Sequence, residues 1–337
     1  MHSENVRTTA LVVLCTIAVV FVLYILKPLL IPFLIAVMIS YLLSPVIEKM
    51  ASWKVPRIVT LLVFFLVSFA VLGIFARMLA TNISGFINEL PLYQTKLNSM
   101  MEISSTTYPW LKTSISDITD FLFGLPLGSY ANAIINSSLG FLSDGLLVVL
   151  FVTYLCLSVH LYPSKIQRAF DGSQGKKILA IMAHIHQGIS QYISIHTFIS
   201  LGVGITVGII CWAFGLPFAV LWGFLAFILN YIPTIGSIIA LIPIIITAAV
   251  QLGFIAAGWI LALIILSQII WENIIESKLT GESLGLSPVV ILLSLTFWGW
   301  LWGIVGAILA IPITYMIKII CENIPPLKAV AVFMDDK

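Results

Sequence analysis

An all-α, polytopic integral membrane protein is the fold class this sequence predicts, on three observations. Hydrophobic residues make up 61% of the 337 positions and charged residues only 9%, with a mean hydropathy of +1.14. A soluble domain carries about 25% charged residues because its surface must stay in water. Sixteen Lys and Arg with fourteen Asp and Glu cannot coat a water-soluble particle of this length. The apolar residues also fall in long runs, and a hydrocarbon core of about 30 Å asks for roughly 20 of them per helix. About eight spanning or re-entrant helices are expected in a single domain over 1–337. Amphipathic helices outside the membrane and broken helices in the C-terminal half complete the expected architecture.

The N-terminal transmembrane helices occupy 1–80. Thr8–Leu26 is about twice a minimal signal core and has no small-residue cleavage site after it, so it reads as a retained signal anchor. Leu29–Ile47 follows, with Pro28 and Pro32 near its start, where proline is tolerated. Ile58–Ala80 is the third run.

Residues 81–136 turn polar, with Pro91, Pro109 and Pro126 as breakers. Leu111, Ile115, Ile118 and Leu122 recur at spacings of four, three and four, the mark of an amphipathic helix. This stretch reads as an extracytoplasmic amphipathic helical hairpin against the bilayer surface. A further span covers 139–160. In the cytoplasmic amphipathic segment 161–195, Ile178, Met182, Ile185, Ile189 and Tyr192 share a face opposite His184, Gln187 and Gln191. That helix is expected to rest on the interface before the chain re-enters near Ile195.

The C-terminal core, 196–320, is almost continuously apolar: Thr197–Phe214, Pro217–Tyr231, Ile235–Val250, Phe254–Trp271 and Pro288–Ile320. Several runs hold only about 15 to 18 residues, at or below the spanning length. Re-entrant or discontinuous helices are therefore expected. Orientation follows from Lys and Arg, which favour the cytoplasmic side. With both termini inside, twelve of the sixteen basic residues lie inside, leaving Lys27, Arg77, Lys96 and Lys112 outside.

Three constellations carry candidate chemistry. Asn230-Tyr231-Ile232-Pro233-Thr234-Ile235-Gly236 interrupts an apolar stretch with a residue that lacks a backbone donor and one that permits unwinding. Broken backbone in lipid must be buried in protein or line a cavity, and transporters use such breaks to meet a substrate or ion. An ordinary interfacial turn is the alternative. Second, Pro217, Gly236, Ala240 and Pro243 echo Pro288, Gly306, Ala310 and Pro312, at an offset drifting from 71 to 69 residues. This is either a pair of inverted repeats or a chance likeness between apolar segments. Third, Glu272 and Glu276 share a helix face four residues apart, with Asn273 between them. A carboxylate within a membrane can carry a proton or a cation, although a solvated boundary beside Lys278 is the plainer reading.

Other classes find no support. The four cysteines stand singly, so neither a zinc site nor a disulfide framework is indicated. His184 and His186 point to different sides of a helix and have no third ligand nearby in sequence, so no metal site is expected. Nucleotide and hydrolase motifs are absent; an enzyme, a cofactor and a nucleic-acid partner are not expected.

The residues do carry a resemblance. Asn230-Tyr231-Ile232-Pro233-x-Ile235-Gly236 with Pro243, then Gly281 and Leu284-Gly285-Leu286-Ser287-Pro288, resembles the autoinducer-2 exporter family. So does Phe297-Trp298-Gly299-Trp300-Leu301-Trp302-Gly303-x-x-Gly306, closed by Ala310-x-Pro312. The family pattern has a proline four residues after the position of Asn273, where this chain has Ser277.

The resemblance implies a multi-pass transporter of the bacterial inner membrane, in contact with lipid and assembled as a homo-oligomer, a pentamer being described for the family. It implies export of a small polar solute such as a quorum-sensing signal, with 196–320 as transport core, or alternatively sodium/proton antiport. A non-transporting scaffold is the third reading. The substrate or ion pathway is expected at Asn230, Pro233, Thr234, Gly236, Pro243, Glu272, Asn273, Gly306 and Pro312.

Overall fold

The computed structural model describes residues 2–105, 138–158, 162–170, 172–233, 235–280 and 285–335. In chain order the helices are α1 (His2–Ile25), α2 (Lys27–Ser52), α3 (Arg57–Ser105), α4 (Ser138–Ser158), α5 (Tyr162–Ala169) and α6 (Gly172–Ala213). Then come α7 (Ala219–Leu229), α8 (Ile235–Leu252), α9 (Phe254–Gln268), a π-helical segment (Ile269–Glu276), α10 (Ser277–Thr280), α11 (Pro288–Asn323) and α12 (Lys328–Met334). No strand occurs among the described residues. The amphipathic pattern at Leu111, Ile115, Ile118 and Leu122 lies outside them, as does Thr234.

The chain divides into two compact units. One comprises Met1–Leu62, Ser143–Ser194 and Glu282–Lys337; the other comprises Val63–Leu142 and Ile195–Gly281. Among the described residues four helices are long and apolar enough to cross a bilayer, or up to six if each bent pair counts as one span. Their outer faces are apolar and bare: Leu14, Ile17 and Phe21 of α1 are each about 60% exposed. In water such faces would cost about 25 cal/mol for every Å²; in lipid they cost nothing.

In the first unit α1 and α2 meet at Leu26 with a bend of 78°. Pro28 lies in the first turn of α2, where its missing N–H is no loss. The core gathers Ile189 and Ile193 of α6 with Ile311, Tyr315 and Ile319 of α11, Leu286, and Met334 of α12. The buried Lys318 donates to the Gly285 carbonyl and meets Asp335 at 3.3 Å and Glu322 at 3.8 Å. With the Ser287 N–H bonded to the Met334 carbonyl at 2.9 Å, it ties the C-terminal helix to the start of α11.

The Pro288–Ile320 run, expected as one apolar stretch, is a helical hairpin. Gly303 has φ 69° and ψ −149°, outside the helical region and open only to glycine. Ser294 Oγ donates to the Ala310 carbonyl at 3.1 Å and bonds the Thr314 hydroxyl. In a straight helix, residues 294 and 310 would be about 24 Å apart. The two arms therefore run antiparallel from a tip at Gly303. Gly306 lies three residues past the tip, where a Cβ would stand 2.0 Å from the Trp298 carbonyl oxygen. Pro312 is carried inside the second arm and breaks nothing.

In the second unit α3 continues past Ala80 to Ser105 and runs through Pro91, which was expected as a breaker within the 81–136 stretch. A proline removes one helical hydrogen bond without of itself ending the helix, and packing holds both flanks. Phe86 meets Phe218 and Trp222 edge-on at 5.9 and 5.2 Å. Tyr93, 2% exposed, lies against Val250. The Tyr93 hydroxyl donates to Glu89, and the Gln251 amide donates to both. Burial and the Glu89 carboxylate push the Tyr93 phenol above its ordinary value.

The amphipathic segment expected to rest on the interface and the apolar run expected to enter the membrane near Ile195 lie on one unbroken helix, α6, of 42 residues. No proline interrupts it, so the amphipathic segment and the apolar one share a single hydrogen-bonded ladder.

Candidate functional site

The polar residues of the second unit converge where α7 ends. The helix stops at Asn230, and the Asn230–Pro233 turn is closed by bonds from the Ile232 N–H to the Leu229 carbonyl (2.9 Å) and from the Gly236 N–H to the Ile232 carbonyl (3.0 Å). Restarting as α8 brings Gly236 against α7: a Cβ there would lie 1.7 Å from the Leu229 oxygen. Only a residue without a side chain fits between the two helices.

Asn230 is 4% exposed. Its side-chain N–H donates to Ser200 Oγ at 3.0 Å, while its Oδ1 has no partner among the described residues. Its main-chain oxygen lies 3.2 Å from Nε2 of His196. His196, 6% exposed, places its other nitrogen, Nδ1, 3.3 Å from Glu276 Oε1. The Tyr231 ring packs edge-on to the imidazole at 5.4 Å, and its hydroxyl donates to Thr197 at 2.8 Å. Glu272 accepts a bond from Ser237 Oγ at 3.1 Å.

Both carboxylates sit on the π-helical segment that continues α9. A π segment widens the helix and recurs at functional sites. Trp271 within it donates to Thr206 of α6 at 3.1 Å. The position where the family pattern has proline is Ser277, whose hydroxyl bonds the Asn273 carbonyl at 2.7 Å. The helix therefore runs on into α10 rather than ending there.

Among the residues chosen from sequence, the structure brings Asn230, Pro233, Gly236 and Glu272 to this turn and its surroundings. Asn273 is exposed, and Pro243 lies two turns along α8, its carbonyl accepting from Thr247. Gly306 and Pro312 belong to the α11 hairpin of the first unit.

Sequence reasoning missed His196, Thr197 and Ser200, because the span was started just at their edge. The signal existed: His196 and Ser200 are four apart, hence on one face, inside an apolar run, and an ionisable residue in a span is a functional candidate by default. The first unit holds a cavity of about 600 Å³ lined by Tyr41, Arg57, Cys156 and His186 among others. None of the residues chosen from sequence lines it.

Among the described residues no group of three or more His, Cys, Asp or Glu could hold a metal ion. What the cluster offers is an ionisable pair, a second carboxylate, and the buried Asn230 amide and Ser200 hydroxyl beside the turn carbonyl that faces His196. Such an arrangement can exchange protons and hydrogen-bond a polar solute.

Comparison with known proteins gives a consistent answer. The chain is 31% identical over 313 residues to the AI-2 transport protein TqsA of Escherichia coli K12, covering 91% of this chain and 90% of that one. Proteins of Borreliella burgdorferi (30% identical, 90% and 83% covered) and Haemophilus influenzae (29% identical, 99% and 98% covered) are also named for transport. A family model described as AI-2E family transporter matches residues 13–325. With nearly its full length matched and its broken-helix motifs in place, this chain belongs to the AI-2E family of transporters.

Proposed function

We propose that this protein is a secondary transporter of the bacterial inner membrane that exports a small polar solute, a quorum-sensing signal of the autoinducer-2 type being the first candidate. The observation that carries the reading is the Asn230–Pro233 break, set among apolar helices yet surrounded by His196, Ser200, Glu272 and Glu276. A polar cluster of this size is costly in a membrane-embedded helix bundle and is retained for ions or polar solutes. The name of the Escherichia coli relative supports the choice of solute. The pathway comprises Asn230, Pro233, Gly236 and Glu272 of the second unit, with Thr234 next in sequence to Pro233, while Gly306 and Pro312 belong to a separate broken-helix element of the first unit. Both termini are cytoplasmic, and the working form is a homo-oligomer of the pentameric kind.

Cation/proton antiport is the second reading, favoured by the convergence of two carboxylates and a histidine on one turn. Proteoliposomes separate the two. Efflux of an autoinducer-2-type furanosyl solute under an imposed proton gradient, lowered at least tenfold by Asn230→Ala, supports solute export. Sodium flux without solute flux, lost in Glu272→Gln, supports antiport. Movement of neither removes both readings and leaves the scaffold.

A further inference from the structure

The two nitrogens of His196 both face oxygen. Nε2 lies 3.2 Å from the main-chain carbonyl of Asn230, and Nδ1 lies 3.3 Å from a carboxylate oxygen of Glu276. A carbonyl only accepts, so Nε2 carries a proton. Nδ1 and Oε1 then hold one more proton between them, written either on the ring or on the carboxyl. A neutral ring beside an ionised Glu276 would set lone pair against lone pair. The geometry is therefore satisfied only when the pair keeps its shared proton.

We propose that His196 and Glu276 form a proton-loading site whose proton latches the Asn230–Pro233 turn to α6. Resting on the transporter reading, this names the proton as the coupling ion of that same cluster. When the shared proton leaves to water, only the N–H or O–H bond that held it breaks, and the ring remains neutral with Nε2–H. Nδ1 and Oε1 then repel, the ring turns, and the Asn230 carbonyl loses its donor.

Two further observations make the turn able to move. The second tether, the Asn230 amide on Ser200, does not titrate, and the latched state leaves Oδ1 buried without a partner among the described residues. Glu276 sits on a π segment, whose extra width can be relieved by a shift of register. The ionisable groups around the ring are Glu272 and Glu276 on the π segment and Tyr231 on the turn.

The test is hydrogen–deuterium exchange of the full chain in lipid nanodiscs, read at Asn230, Tyr231 and Ile232 and corrected for the intrinsic pH dependence of exchange. In the wild type, protection should fall roughly ten- to a hundredfold between pH 5 and pH 9, the size expected for a lost charge-assisted hydrogen bond. His196→Gln should abolish the step. Glu276→Gln, whose amide donates permanently to Nδ1, should hold the turn protected at both pH values. Ser200→Ala should keep the step on a lower baseline.

A wild type without the step overturns the proposal, as does a step that survives in Glu276→Gln; should His196→Gln fail to fold, the second variant decides alone. Liposome flux separates the two ideas. Flux without the step removes the latch alone, whereas the step without any solute or ion flux removes the transporter reading on which its coupling role rests.

Discussion

The carbonyl oxygen of Leu229 stands 1.7 Å from the place a Cβ on Gly236 would take. The same relationship recurs between Trp298 and Gly306, at 2.0 Å. In both hairpins the glycine comes three residues after the tip residue, Pro233 or Gly303, and backs onto the arm that precedes it. Ala240 and Ala310, four residues further on, are 3% and 0% exposed. The likeness noticed between the two segments thus has a local physical basis, the close approach of two helices just past a sharp reversal.

Gly236→Ala and Gly306→Ala should each open their hairpin, because a backbone oxygen cannot step aside as a flexible side chain can. The expected destabilisation is about 1–3 kcal/mol or more each, the usual cost of overpacking. Thermal unfolding in detergent measures it. Gly145→Ala, where nothing lies within 4 Å, should be neutral or slightly stabilising.

Ser294→Cys with Thr314→Cys, in a background without the native cysteines, should cross-link on mild oxidation. The two hydroxyls bond across the α11 hairpin. On a straight helix residues 294 and 314 would be about 30 Å apart and could not react. Mass spectrometry of the intact bridged peptide reads the outcome, and recovery of both thiols free would return α11 to a single long span.

Lys318 is 6% exposed and holds the Gly285 carbonyl together with Asp335 and Glu322. Lys318→Ala should loosen α12 from the start of α11. Both acids are about 40% exposed, so solvent screens the pairs, and a loss of about 1–3 kcal/mol is expected rather than the larger cost of a fully buried ion pair. Limited proteolysis after residue 324 should quicken in the variant before global unfolding begins.

Tyr93 gives a pH dependence. Burial and Glu89 raise its phenol above the unfolded value of about 10. The native state then holds that proton more tightly, so its contribution is intact below about pH 10 and is lost as pH rises beyond it. Wild-type stability should fall along the alkaline limb more steeply than that of Tyr93→Phe, which lacks the group. Parallel limbs in chemical denaturation between pH 9 and pH 11 would contradict this.

The sequence by itself determined that this chain lives in a membrane, because too few charges exist to face water. It also placed the interruptions at Pro233–Gly236, because loss of a backbone donor beside a glycine is a local property of the chain. Family motifs were equally legible, being strings of residues.

Three things were settled only by tertiary structure. Pro91 sits within α3 because Phe86 and Tyr93 are packed on either side of it. The last apolar run folds back at Gly303 because Ser294, Ala310 and Thr314 bond across the reversal, a pairing that no spacing along a continuous Leu- and Ile-rich run reveals. The carboxylates Glu272 and Glu276, readable as a solvated boundary, acquire Ser237 and His196 as partners from helices some 35 and 80 residues away in sequence. Periodicity reports which face of a helix is apolar, but a polar side chain's partner across the fold depends on how separate helices pack, and that is a property of the three-dimensional structure.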